Sequence, residues 1–313
     1  MADRKPEHLQ YLDPVVLSSI GSLELLARMV VEGFISGLHQ SPYRGFNVEF
    51  TEHRPYSPGD EIRHIDWRAY AKVDRFLVKQ FEEETNLRAY LLLDCSRSMN
   101  YQGKGRIAKI DYAKMLCASL AYLMLLQRDS VGLITFSNAI EQYVPPRAKA
   151  AHLEAITDGL GQTVATPDTC LNSVLADVAE RIRRRGLVVV VSDLIDEPGS
   201  VLKGLQHLHH MKHDLILLQV LDPDEIELPF RGVVRFHDPE SQDELLTDPG
   251  RLQDEYRRRM DAFVQAYRNG AAEIGVDYVL LRTSEPLDRA LAHFLANRRR
   301  FQTGRKHSSG VRT

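Results

Sequence analysis

Two short apolar runs that end abruptly in oxygen-bearing side chains constrain this chain more than any other feature. Leu91-Leu92-Leu93 leads into Asp94-Cys95-Ser96-Arg97-Ser98-Met99, and Val188-Val189-Val190-Val191 leads into Ser192-Asp193. Aliphatic runs of this length, without polar alternation, are the pattern of strands buried on both faces, as in parallel sheets covered by helices. Parallel neighbours need a crossover between them, and helical patterns of suitable length separate the strands here.

The remaining pattern extends this order. Asp13 followed by Pro14 is a helix start, and apolar residues recur at helical spacing from Val15 to about Leu38. From Ser41 to Glu84 the chain is rich in charges and aromatics around the turn Ser57-Pro58-Gly59-Asp60, and short strands with long connections are expected. Strands are predicted over Leu87–Leu93, Ser130–Phe136, Ile140–Val144, Leu187–Val191, Leu215–Leu221 and Tyr278–Arg282. Helices are predicted over Ile107–Gln127, His152–Leu160, Leu171–Arg184, Leu202–Met211, Arg251–Ile274 and Pro286–Asn297, with a polar hairpin at Val233–Thr247. The expected fold is α/β, a doubly wound and mostly parallel sheet with helices on both faces. Residues 87–299 form this domain. Residues 1–86, a helix and a short-strand region, pack on it, since no Pro/Gly/Ser linker follows Glu84, and the basic stretch 300–313 is expected to be a disordered tail.

Bulk properties exclude several classes. Forty Lys and Arg against 43 Asp and Glu leave a formal charge of −3, which gives no general drive toward nucleic acid. The three cysteines, Cys95, Cys117 and Cys170, have no paired spacing and fit a reducing, cytoplasmic setting. The first ten residues are polar, unlike a signal peptide, and Glu24, Arg28 and Glu32 interrupt the apolar stretch Val15–Leu38 at four-residue spacing, which suits the wet face of an amphipathic helix and not a bilayer. A soluble protein is expected.

The strand ends carry the chemistry. Asp94, Ser96 and Ser98 alternate, so in an extended backbone all three aim oxygens at one point beyond the strand. Hard oxygen ligands of this kind suit a small divalent cation such as Mg²⁺, with Mn²⁺ or Ca²⁺ as alternatives. Further oxygens must come from neighbouring strand ends. Asp193 closes the second buried strand, and Thr169, at a helix start between Asp168 and Cys170, offers a hydroxyl on an intervening loop. Ser96, Ser98 and Thr169 are expected to bind directly, Asp94 and Asp193 directly or through water, with one position left open.

The set Asp94-Cys95-Ser96-Arg97-Ser98, Thr169 and Asp193 resembles the metal-ion-dependent adhesion site (MIDAS) of von Willebrand factor A-type domains, which reads DxSxS, then Thr, then Asp. Thr169, with Leu171 and Leu175 after it, fits the second element better than Thr166. In that family the Thr usually follows a Gly-rich turn, whereas Gly161-Gln162-Thr163 lies several residues earlier here. A second resemblance covers more of the chain. Glu49-Phe50, Arg54, Tyr56, Pro58-Gly59-Asp60, Arg63, Ile65-Asp66-Trp67 and Lys79-Gln80-Phe81-Glu82-Glu83-Glu84 are similar to the family numbered fifty-eight among the domains of unknown function. Its members carry this A-type domain and are commonly encoded beside MoxR-type AAA+ ATPases. The resemblance implies a von Willebrand factor A-like fold and a metal at Asp94, Ser96, Ser98, Thr169 and Asp193. It also implies a protein partner that offers an Asp or Glu to the metal: a MoxR-type ATPase or its client, with this chain as adaptor in a chaperone-like assembly. The chain resembles the soluble members, and no membrane span is expected.

Other motifs read more plainly. Arg54, Arg63 and Asp66 suit local ion pairs, and Trp67 suits packing. His209 and His213 could share a helical face with His207 and His210 nearby, but zinc needs three or four ligands and no third is evident. The arginines at 181–185, 257–259 and 298–300 read as solvated faces, with nucleic-acid binding the weaker alternative. Gly103-Lys104-Gly105 lacks P-loop spacing, and no GxSxG or HExxH occurs. The chain is therefore expected not to be an enzyme. The alternative is a hydrolase using the same ion as Lewis acid, which needs a base that the sequence does not clearly offer.

Overall fold

A computed structural model describes residues 13–40, 53–55, 77–79, 87–163, 171–237 and 243–296. The N-terminal helix that the sequence predicts as one piece is two: α1 (Pro14–Leu17) and α2 (Leu23–Gln40). The break has a local cause. The Ser18 and Ser19 hydroxyls donate back to the carbonyls of Val15 and Val16, Gly21 follows, and the Ser22 hydroxyl accepts from Leu25 N–H at 3.3 Å to begin the second helix. The long helix then buries Leu26, Ala27, Val30, Val31 and Phe34, an apolar stripe at helical spacing. Strands β1 (His53–Pro55) and β2 (Leu77–Lys79) pair antiparallel, with Arg54 opposite Val78. The rest of the Arg54–Trp67 signature lies outside the described residues.

The main sheet contains β3 (Arg88–Asp94), β4 (Ser130–Phe136), β5 (Ile140–Arg147), β6 (Leu187–Ser192), β7 (Asp214–Leu221) and β10 (Asp277–Arg282), in the order β10-β7-β6-β3-β4-β5. All neighbours are parallel except β4 and β5, an antiparallel pair joined by a tight connection. Between strands run α3 (Lys109–Leu126), α4 (His152–Gly161), α5 (Leu171–Arg181) and α6 (Pro198–His210). After β7 come the short α7 (Pro223–Glu227), the hairpin β8 (Val234–His237) and β9 (Glu244–Thr247), α8 (Gln253–Glu273) and, after β10, α9 over residues 288–296. The doubly wound α/β expectation holds, with β3 central and the order turning on either side of it.

Strand alternation divides the core in two. Leu91, Leu93, Val189 and Val191 pack with α2, α3, α4 and α9, whereas Leu92, Val188 and Val190 pack with α5, α6 and α8. Helix α3, enclosed between sheet and α2, is buried almost all round, including Lys109. Among the described residues, no helix is long and apolar enough to cross a membrane.

Candidate metal centre

Parallel pairing sets the strand ends side by side. Leu93 lies opposite both Thr135 and Val191, so Asp94 finishes β3 beside Ser192 at the carboxyl edge, where ligands bind in such sheets. Asp94 is 1% exposed, and its carboxylate accepts hydrogen bonds from Ser96 N–H at 2.9 Å and from the Ser192 hydroxyl at 2.6 Å. The Ser192 oxygen in turn accepts from Leu194 N–H at 2.9 Å. Both partners of Asp94 are neutral. Burial, followed by the charge of Asp193, raises its carboxyl well above the ordinary carboxylate range.

The route by which the two serines converge differs from the expectation. The chain stays extended only to Ser96, and Arg97–Asn100 is a 3₁₀ turn. That turn carries the Ser98 hydroxyl back to 2.9 Å from the Ser96 hydroxyl. Two adjacent ligands on an octahedral Mg²⁺ shell with ~2.1 Å bonds lie about 3 Å apart, so this spacing fits a shared small cation. With the buried Asp94 carboxylate, the hard-oxygen donor set suits Mg²⁺.

Asp193, 2% exposed, carries a feature that the sequence does not announce. Its carboxylate accepts from Lys109 Nζ at 2.8 Å and from Ile195 N–H at 3.2 Å, and its carbonyl accepts from the Gln219 amide at 2.9 Å. Lys109 is fully buried and also donates to Glu225 at 2.5 Å. Burial opposes its charge, but Asp193 and Glu225 outweigh that and raise its pKa. For Glu225, burial outweighs the ammonium and leaves its carboxyl raised. Alternation explains why the lysine reaches Asp193 and not Asp94: Ser192 and Asp94 share one sheet face, while Asp193, one residue on, turns toward the face covered by α3. Asp193 thus already has a cation, and Asp94 is the carboxylate that an added ion would neutralise.

A second polar layer braces this one. Asp222, the carboxylate immediately after β7, caps α7 and accepts from the Thr283 hydroxyl at 2.8 Å. Arg106 pairs with Asp222 at 2.8 Å and with Asp224 at 2.6 Å. Glu225 accepts from Asp222 N–H at 2.8 Å and so ties this layer to Lys109.

The structure therefore gathers Asp94, Ser96, Ser98 and Asp193 at one edge, and adds Ser192, Lys109, Glu225, Arg106 and Asp222, which sequence reasoning missed. Ser192 and Asp222 had a usable signal, since both lie at ends of buried strands. Thr169 lies outside the described residues. Two residues later, Leu171 N–H donates to Asp196 at 3.3 Å, anchoring the start of α5 just past the end of β6. Among the described residues, no group of three or more His, Cys, Asp or Glu forms a metal cluster. His213 turns inward, with Nε2 3.1 Å from Ile182 O, and does not join His207, His209 and His210 on the exposed end of α6.

A family model described as "Protein of unknown function DUF58" matches residues 52–270. The chain belongs to the DUF58 family. It is 28% identical over 297 residues to "Uncharacterized protein Rv1480" of Mycobacterium tuberculosis (strain ATCC 25618 / H37Rv), covering 92% of this chain and 91% of that one. A shorter "Uncharacterized protein MAV169" of Mycobacterium avium is 27% identical over 147 residues, covering 44% of this chain and 86% of that protein. Of solved structures, "conserved hypothetical protein BatB" from Bacteroides thetaiotaomicron aligns with a TM-score of 0.47 at 15% identity, over 67% of this chain and 98% of that one. The "SpRpn10 VWA domain" aligns at 0.41 and 9% identity, over 66% of this chain and 93% of that one.

Proposed function

We propose that this DUF58 protein is a metal-dependent protein-binding module whose ion, held by Asp94, Ser96 and Ser98 with Thr169 and Asp193, receives a carboxylate from a partner. The observation that carries this reading is the buried Asp94 carboxylate, whose hydrogen-bond partners among the described residues are neutral, beside two hydroxyls at cis-ligand spacing. The bound ion supplies a positive centre with a replaceable water, and Mg²⁺ suits the donors best. The chain's own residues do the rest. Ser192 and the Ser96 N–H fix the Asp94 carboxylate, the 3₁₀ turn presents the Ser98 hydroxyl, and Lys109 restrains Asp193. Family resemblance supplies the partner class, a MoxR-type AAA+ ATPase or its client, with this chain as adaptor in a chaperone-like assembly in the cytoplasm.

A binding role is favoured over hydrolysis because the motif offers no clear general base for the metal-assisted reaction, and its thiol is disabled. Cys95 is fully buried, and burial together with the charge of Asp94 drives its thiol far above neutral pH. The test compares wild type with Asp94→Ala/Ser96→Ala in pull-down of the ATPase and in thermal unfolding with Mg²⁺ or chelator. Wild type should retain the partner only with metal and melt higher with Mg²⁺, since a ligand of the native state stabilises by mass action, and the variant should lose both effects. Retention of the partner by the variant as strong as by wild type, unchanged by chelator, would sink the metal-bridged reading.

A further inference from the structure

β10 ends the main sheet. It pairs with β7 on one side, and among the described residues no strand pairs with the other. This free edge runs along a groove of about 610 Å³ between α8 and α9. On the α8 side Arg268 lies over the Tyr278 ring, 5.9 Å from its centroid, and Leu280 and Arg282 continue the strand. On the α9 side stand Arg289 and His293. The lining holds three arginines against one acid, Glu285, which pairs with Arg289 at 2.6 Å and lies 4.0 Å from Arg282. Unprotected strand edges are liabilities that proteins usually blunt, and main-chain pairing with an extended peptide is a common use of those left open.

We infer that the β10 edge is a docking site for an extended acidic segment of a partner protein, which adds to the sheet as a further strand. Charge complementarity selects this occupant. Side chains of an added strand alternate between faces, so acidic residues at neighbouring positions meet Arg268 on one face and Arg289 on the other. The sequence immediately beyond Ala296 is Asn297-Arg298-Arg299-Arg300, which disfavours the chain's own continuation as occupant because it repeats the groove's charge. The site is separate from the metal centre and does not depend on it.

The test uses the full chain and a fluorescein-labelled peptide of repeated Glu-Glu-Val-Val, which presents acids on both faces of an added strand, about ten residues long to span a six-residue strand. Controls are the same peptide N-methylated at alternate amides, a Lys–Val peptide, and a single-stranded RNA of matching charge. The expected result is saturable Glu–Val binding that weakens with salt and persists in chelator. Backbone amides within 277–282 should gain hydrogen-exchange protection. Arg268→Glu/Arg289→Glu should weaken binding by about tenfold, a change of about 1.4 kcal/mol, and Arg268→Gln/Arg289→Gln by less; both sites are solvent-exposed, so the variants should fold. Absence of saturable binding, equal binding of the N-methylated peptide, no protection at 277–282, or tighter binding of RNA that protects the same amides would each overturn the proposal.

Discussion

Lys109 keeps its positive charge with no exposed surface, because Asp193 and Glu225 both accept hydrogen bonds from its ammonium. Buried ions are tolerated when paired and become costly when one partner is removed. Lys109→Met should therefore lower unfolding free energy by about 3 kcal/mol, the lower end of the range for broken buried pairs because Glu225 reaches solvent. Urea denaturation measures this. Adding Asp193→Asn and Glu225→Gln should recover much of the loss, since those changes remove the stranded negative charges. A loss under about 1 kcal/mol would mean that the three groups are better solvated than their burial indicates. Among individual residues, the oxygen donors Asp94, Ser96, Ser98 and Asp193 were legible because each ends or follows an apolar run. Lys109 was not, because a lysine in the first turn of a helix looks the same whether it faces water or a buried carboxylate.

At the level of elements, strand and helix types followed the hydrophobic pattern closely, and the misses have local causes. The N-terminal helix broke where serine hydroxyls competed for backbone carbonyls. The segment after Asp94 tightened into a 3₁₀ turn, which brought Ser96 and Ser98 together by a route that alternation could not supply. The β4–β5 pair shows a third kind of local demand. Its register shifts between Val131 and Leu133, and a Cβ built on Gly132 would stand 2.7 Å from the Val144 carbonyl oxygen. Gly132→Ala forces backbone apart, because no flexible side chain can yield there, and should cost about 1–3 kcal/mol. Chemical denaturation of the variant checks this, and a neutral effect would mean that the irregular pair relaxes without loss.

For the whole molecule, the two-sided burial of the sheet couples stability to pH through two buried histidines. His213 and His152 are 2% and 7% exposed, and each has a ring nitrogen with no hydrogen-bond partner among the described residues. Burial, the largest cause in both, lowers their pKa below the ordinary 6.5. The unfolded chain therefore takes up protons first on acidification. This stabilising contribution is fully present above pH 6.5 and is lost as pH falls through the lowered native values. Asp94, whose raised carboxyl takes up protons in the native state, acts in the opposite sense, so the readout is a difference: from pH 7.5 to 5.5 the wild-type midpoint should drop relative to that of His213→Gln. An unchanged slope in that variant would assign the pH dependence to other groups.

By itself the sequence determined the order of strands and helices, the burial of the central strands and the oxygen chemistry at their ends, because all three follow from which residues alternate and where an apolar run stops. Only the tertiary structure decided that Asp193 turns to a buried lysine while Asp94, among the described residues, is held by serines, and that the outer edge of β10, unpaired among those residues, is lined by arginines. Those outcomes depend on the sheet face to which each side chain turns and on which helix packs there, and such partners are distant in the chain.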